Sequence, residues 1–114
     1  MTPLVGLPSK EKLGLLLADL RRELERLYGD RLSRLILYGS QARGDAREGS
    51  DIDVLIVLRG EVDVWAEIKR TSEIISDIDL KYNEDISRQF ASEAEFSGGA
   101  DLYFRGVRRE GIAA

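Results

Sequence analysis

A chain of 114 residues with 17 basic and 21 acidic side chains, and a formal charge of -4 at pH 7, has room for one domain around one modest core. Cysteine and histidine are both absent, which excludes a disulfide framework, a thiol nucleophile, a Cys/His zinc site and the commonest general base. The acidic balance argues against a nucleic-acid surface built on bulk charge, leaving room only for a local basic patch.

The opening "MTPLVGLPSKEK" lacks the basic start and long apolar run of a signal peptide, and no apolar stretch approaches the roughly 18 residues of a membrane span. A soluble, cytoplasmic protein is expected. Residues 9–28 place Leu13, Leu16, Leu17, Leu20, Leu24 and Leu27 at three- and four-residue steps with charge on the other face, which predicts an amphipathic helix. Ser9, after Pro8, reads as its N-cap and Gly29 as its stop. Leu35 to Tyr38 is a short apolar run ending at a glycine, hence a buried strand. "QARGDAREGS" follows as a loop or a single helical turn. "DIDVLIVL" is a second strand, apolar on both faces beyond Asp53 and therefore central in its sheet.

Residues 62–82 carry Trp65, Ile68, Ile75, Ile78 and Tyr82 near helical spacing and predict a long second helix. "EDISRQFAS" alternates Ile86 and Arg88 with Asp85, Ser87 and Gln89, the pattern of a third strand at the sheet edge. Near the end, Ala100, Tyr103, Phe104 and Val107 share one face of a short helix, with Arg105, Arg108 and Arg109 on the other. No repeat or linker interrupts the chain, so residues 1–114 read as a single domain. The order helix, strand, strand, helix, strand, helix predicts an α/β (α+β) fold, a small mixed sheet of about three strands packed with helices.

The chemistry concentrates at the mouth of the second strand. Strand residues two apart share a face, so Asp51 and Asp53 project together while Ile52, Val54, Ile56 and Leu58 point the other way. Their Cα atoms stand about 6–7 Å apart, close enough for both carboxylates to converge on one cation. Two bare carboxylates ~4 Å apart repel by about 4 kcal/mol at an effective dielectric of ~20, a cost that a divalent cation relieves. Without nearby imidazole or thiolate, these hard oxygens suit Mg²⁺ or Mn²⁺. Alone, such a pair is more often a solvated strand end. Here a glycine–serine pair, Gly39 and Ser40, closes the preceding strand ten residues before Asp51. A glycine there lets a phosphate approach the backbone, and Ser40 adds a hydroxyl donor. Neither a Walker loop nor an EF-hand spacing is present.

"LYGSQARGDAREGSDIDVLIVL", Leu37 to Leu58, resembles the signature of minimal nucleotidyltransferases of the DNA polymerase β superfamily. Gly39, Ser40, Ala42, Arg43, Gly44, Ser50, Asp51 and Asp53 stand where that family's pattern has its constrained positions. The resemblance implies a polymerase β-like nucleotidyltransferase fold. It implies also transfer of AMP from ATP to a hydroxyl, with release of pyrophosphate. Asp51 and Asp53 would bridge two Mg²⁺ ions (Mn²⁺ being the alternative), and Gly39, Ser40 and Arg43 would hold the triphosphate, with Arg47 a second cation nearby. A third catalytic carboxylate is implied on a later strand: Asp85 is the candidate and Glu84, one residue away on the opposite face, the competitor.

A chain of this size leaves little room for a separate acceptor-binding region. It resembles the antitoxin half of two-gene systems paired with HEPN-domain ribonucleases, which implies AMP transfer to a tyrosine of the toxin. Assembly with itself or with that partner is left open; neither nucleic acid nor membrane is expected as a binding partner. Two other functions remain beside it: an antitoxin that neutralises its partner by occlusion alone, and a nucleotidyltransferase acting on a small molecule.

Overall fold

The computed structural model describes residues 9–47, 49–98 and 101–114. Helix α1 (Ser9–Tyr28) buries Leu16, Leu20 and Leu24 completely, with Leu13 and Leu17 packed at the margin. The predicted leucine stripe is the buried face except at Leu27, which is exposed while Tyr28 beside it turns inward, and the helix ends ahead of Gly29. Pro8 and the Ser9 side chain, read as the helix start, lie outside the described residues and side chains. A single 3₁₀ turn (Gly29–Arg31) leads into strand β1 (Leu32–Tyr38), three residues longer at its start than the apolar run alone marks. One helical turn, α2 (Gly39–Arg43), follows. Strand β2 (Ile52–Leu58), helix α3 (Val64–Tyr82) and strand β3 (Ile86–Ser92) come next. Two short helices, α4 (Glu93–Ser97) and α5 (Leu102–Glu110), and a two-residue strand β4 (Ile112–Ala113) complete the order.

The sheet runs β3-β2-β1-β4, so β2 is interior and β3 forms one edge. β1 pairs antiparallel with both β2 and β4, while β2 and β3 are parallel and joined by the α3 crossover. This is the mixed α+β sheet expected, with β4 as an added fourth strand. Its two faces carry different layers. Leu35 and Leu37 of β1, Ile52, Val54, Ile56 and Leu58 of β2, and Ile86 and Phe90 of β3 pack beneath α1 and α3. Ile36, Leu55, Val57 and Ala91 face the opposite way, under Phe96 of α4 and Val107 of α5.

Helix α3 departs from the reading of its apolar residues. Trp65 is 76% exposed, whereas Glu67 and Thr71 are buried. The inward stripe runs Glu67, Thr71, Ile75, Ile78, Tyr82, a helical period whose first two members are polar. Glu67 is tolerated because it accepts from Tyr28 Oη at 2.7 Å and pairs with Arg31 at 3.3 Å and Arg70 at 3.1 Å. On β3, Arg88 also turns inward and donates to Thr71 Oγ1 at 2.8 Å and to the Ile68 carbonyl at 2.9 Å. Ser92 and Glu95 form a reciprocal capping box that starts α4 directly at the end of β3. Gly111 lets α5 descend onto β1, since a Cβ there would lie 2.5 Å from both Ile36 Cγ2 and the Val107 carbonyl oxygen.

Candidate active site

β1 ends and β2 begins at the same rim of the sheet, because the two strands are antiparallel. Tyr38 is the register partner of Asp53, and Asp53 in turn lies in register with Ser87 of the parallel strand β3. Strand parity places Asp53 on the face of Leu55 and Val57, opposite the main core, as the sequence pattern requires. Asp51, two residues earlier, is exposed at the strand mouth. Burial pushes the Asp53 carboxyl above its ordinary value of 3.8, and the Asp51 charge pushes the same way, while Arg43 and the Ser87 hydroxyl act against them.

Gly39 turns the chain at this rim. Its φ is +72°, and a Cβ would fall well inside contact distance of Asp53 Oδ2 and 3.3 Å from Asp53 Cγ. In this structure the absent side chain makes room for the Asp53 carboxylate itself. Ser40 lies in the first turn of α2, where backbone N–H groups have no intrahelical acceptor. Its carbonyl receives the amides of Gly44 and Asp45, closing the turn. Arg43 is exposed and pairs with Asp45 at 3.3 Å and with Glu110 of α5 at 3.6 Å. Ser50 folds the loop back: its hydroxyl accepts from the Arg47 amide at 2.9 Å, and its own amide donates to the Arg47 carbonyl at 2.9 Å.

Asp85 immediately precedes β3, and its carbonyl accepts from the Ile52 amide at 2.9 Å, so its backbone sits beside Asp51. Its side chain is exposed. Glu84 turns toward α1 instead and pairs with Lys12 at 2.7 Å, at the rim of a cleft of about 420 Å³ that Arg47 and Ser50 also line. Among the described residues, no three acidic side chains are gathered closely enough to hold a metal ion. The structure thus brings Asp51, Asp53 and Gly39 together and leaves Asp85 at the same rim without joining its carboxylate to the pair. A further acid escapes the sequence pattern. Asp79, on the last turns of α3, accepts from the Ile86 amide at 3.0 Å, and burial raises its carboxyl, with the charges of Asp85 and Asp51 adding to the rise.

Two tyrosines complete the surroundings. Tyr103 of α5 reaches across so that its hydroxyl lies 2.8 Å from that of Tyr38, the rings meeting edge-on at 6.0 Å between centroids. Burial raises both phenols, and the charge of Asp53 contributes to each. The sequence offered only a hint of this: Tyr38 adjoins Gly39, and Tyr103 lies on the inward face of the last helix.

At this rim the Asp53 carboxylate packs against the Gly39 turn, with Asp51 two residues away at the strand mouth. The chain belongs to the nucleotidyltransferase domain family, whose profile matches residues 17–103. It is 38% identical over 72 residues to the "Putative protein adenylyltransferase MJ0141" of Methanocaldococcus jannaschii, covering 63% of this chain and 72% of that one. To "Putative protein adenylyltransferase MJ0604" of the same organism it is 39% identical over 89 residues, covering 77% and 83%. Its fold matches a crystal structure described as a putative nucleotidyltransferase from Sulfolobus solfataricus, with a TM-score of 0.64 at 22% identity, over 96% of this chain and 89% of that one. A structure described as the toxin-antitoxin with AMP-PNP shares the fold at a TM-score of 0.54 and 18% identity, over 93% and 72%. The structure of a putative minimal nucleotidyltransferase shares it at 0.55 and 24%, over 88% and 93%. The family read from Leu37 to Leu58 is therefore the family of the chain.

Proposed function

We propose that the protein transfers AMP from ATP to a tyrosine hydroxyl of a partner protein, acting as the antitoxin of a pair whose other member is a HEPN-type toxin. The observation that carries this reading is the Asp51–Asp53 pair at the mouth of the central strand, with the Asp53 carboxylate seated against the Gly39 turn. The names of the two Methanocaldococcus relatives support protein adenylylation, and the toxin-antitoxin fold neighbour supports the pairing.

The donor set fits a divalent cation at the pair. Both ligands are hard carboxylate oxygens, and the folded chain already disfavours the ionised form of Asp53 through burial and the Asp51 charge. Asp51 and Asp53 would hold Mg²⁺, with Asp85 supplying a further carboxylate from the adjoining strand. Bound there, Mg²⁺ would screen the triphosphate and stabilise the attacking and leaving oxygens. The chain's own residues do the rest. Gly39 and Ser40 seat the β- and γ-phosphates on the free amides of the first α2 turn, and Arg43 offsets phosphate charge at the open side. An acceptor oxygen bonds to the α-phosphorus as the bond to the β-phosphate oxygen breaks and pyrophosphate departs.

The test is to combine the protein with Mg²⁺, ATP labelled at the α-phosphate and the product of the adjacent reading frame, then weigh that product. The expected result is a mass gain in units of AMP on the partner. Asp53→Asn should lower it at least ~100-fold without loss of partner binding. Undiminished transfer by Asp53→Asn would exclude the proposed role. Full neutralisation of the toxin by that variant without transfer would favour occlusion instead.

A further inference from the structure

We propose that Tyr103 is itself an acceptor, so that without a partner the protein adenylylates its own α5 helix; this rests on the nucleotidyl-transfer reading above. The chain has four tyrosines. Tyr28 and Tyr82 are buried on the α1/α3 side of the sheet, with hydroxyls held by Glu67 and Asp19. Tyr38 is half-buried on β1. Tyr103 alone is open to solvent, at 40% exposure, and its hydroxyl sits over the rim that carries Asp53.

That placement is built. The Tyr103 hydroxyl is hydrogen-bonded at 2.8 Å to Tyr38, and Tyr38 is the cross-strand partner of Asp53 on the same face. Such neighbours stand about 4.5–5.5 Å apart at Cβ, so Asp53 and the Tyr38–Tyr103 pair share one face at this rim. Helix α5 is fixed from both ends: Tyr103 rests on Tyr38, Glu110 pairs with Arg43 at 3.6 Å, and Val107 is buried between them. A hydroxyl held in place in this way gains the advantage of an intramolecular reactant.

The step balances without another reagent. The Tyr103 phenol oxygen forms a bond to the α-phosphorus of ATP and the bond from that phosphorus to the β-phosphate oxygen breaks. Pyrophosphate leaves with the electron pair, and the phenol proton passes to solvent at the open edge of the site. Modified Tyr103 would carry AMP at the Asp53 rim and keep a further acceptor away from it.

The experiment uses the full chain alone with Mg²⁺ and ATP, followed by intact-mass measurement and peptide fragmentation, with calorimetric titration of ATP as a separate readout. The expected result is one AMP per chain located at Tyr103, at a rate per molecule that does not change on dilution. Tyr103→Phe should reduce labelling at least ~10-fold while circular dichroism confirms its fold. ATP binding without any adduct, an adduct on Ser87 or another residue, or a rate proportional to protein concentration would overturn self-modification in place and leave the nucleotide site standing. Absence of ATP binding would overturn both.

Discussion

Gly39 and Asp53 compete for one volume. The glycine adopts a left-handed φ of +72°, and the space its side chain would need is filled by the aspartate's carboxylate. Gly39→Ala should therefore cost about 1–2 kcal/mol from the backbone alone, and should push Asp53 off its seat as well. A urea titration would show a lower midpoint with unchanged slope, and transfer activity should fall with it; an unaltered midpoint would refute the contact. Asp53→Asn should act in the opposite sense on stability. Burial and the Asp51 charge raise the Asp53 carboxyl above 3.8, so the ionised form at neutral pH opposes folding and its stability deficit shrinks as pH falls toward that value. Removing the charge should raise the metal-free melting temperature by about 2–4 °C. Calorimetry without divalent ions checks this, and a lower melting temperature would contradict it.

At the scale of elements, α1 and α3 are joined by polar contacts as well as by the core. Asp19 of α1 accepts from Tyr82 and from Lys81 Nζ at 2.8 Å. Burial raises its carboxyl, but those hydrogen bonds outweigh burial and leave it below 3.8. A lowered carboxyl contributes stability that is present above 3.8 and lost as pH falls through its folded value. Asp19→Asn should cost about 1–2 kcal/mol at pH 7 and flatten the acid limb of the stability curve below about pH 4. Denaturant midpoints measured from pH 7 down to pH 2.5 would show it, and an unchanged acid limb would count against it. Glu67→Ala should cost about 1–3 kcal/mol, because it strands the buried Tyr28 hydroxyl and removes the carboxylate partner of Arg31 and Arg70. These contacts also explain what the sequence concealed. Helix α1 was legible because Leu13, Leu16, Leu17, Leu20 and Leu24 mark its face, with Leu27 alone turned outward, whereas α3 begins its buried stripe with Glu67 and Thr71. Counting apolar residues there selected Trp65, which faces solvent. The helix α4 and strand β4 are too short to leave a period; the first depends on a capping box at a strand end, and the second on pairing with β1.

For the whole molecule, the sheet order brings the end of β1 and the starts of β2 and β3 to one rim, and the candidate site lies there. Asp51, Asp53 and Gly39 could be placed from sequence because strand parity and a fixed spacing are local properties. The meeting of Tyr38 with Tyr103, 65 positions apart, is a product of topology and leaves no local trace. Asp79 was hidden for a related reason, since only the return of β3 sets its carboxylate near Asp51. The formal charge of -4 sharpens the dependence on a cation, because the protein's own field opposes a triphosphate. Titration of Mg²⁺ with a non-hydrolysable ATP analogue into the wild type, Asp51→Asn and Asp53→Asn measures that dependence at its source. The expected result is saturable binding that requires Mg²⁺ and weakens at least ~10-fold, about 1.4 kcal/mol, in either variant. Nucleotide binding of equal strength without Mg²⁺, or undiminished in both variants, would contradict it.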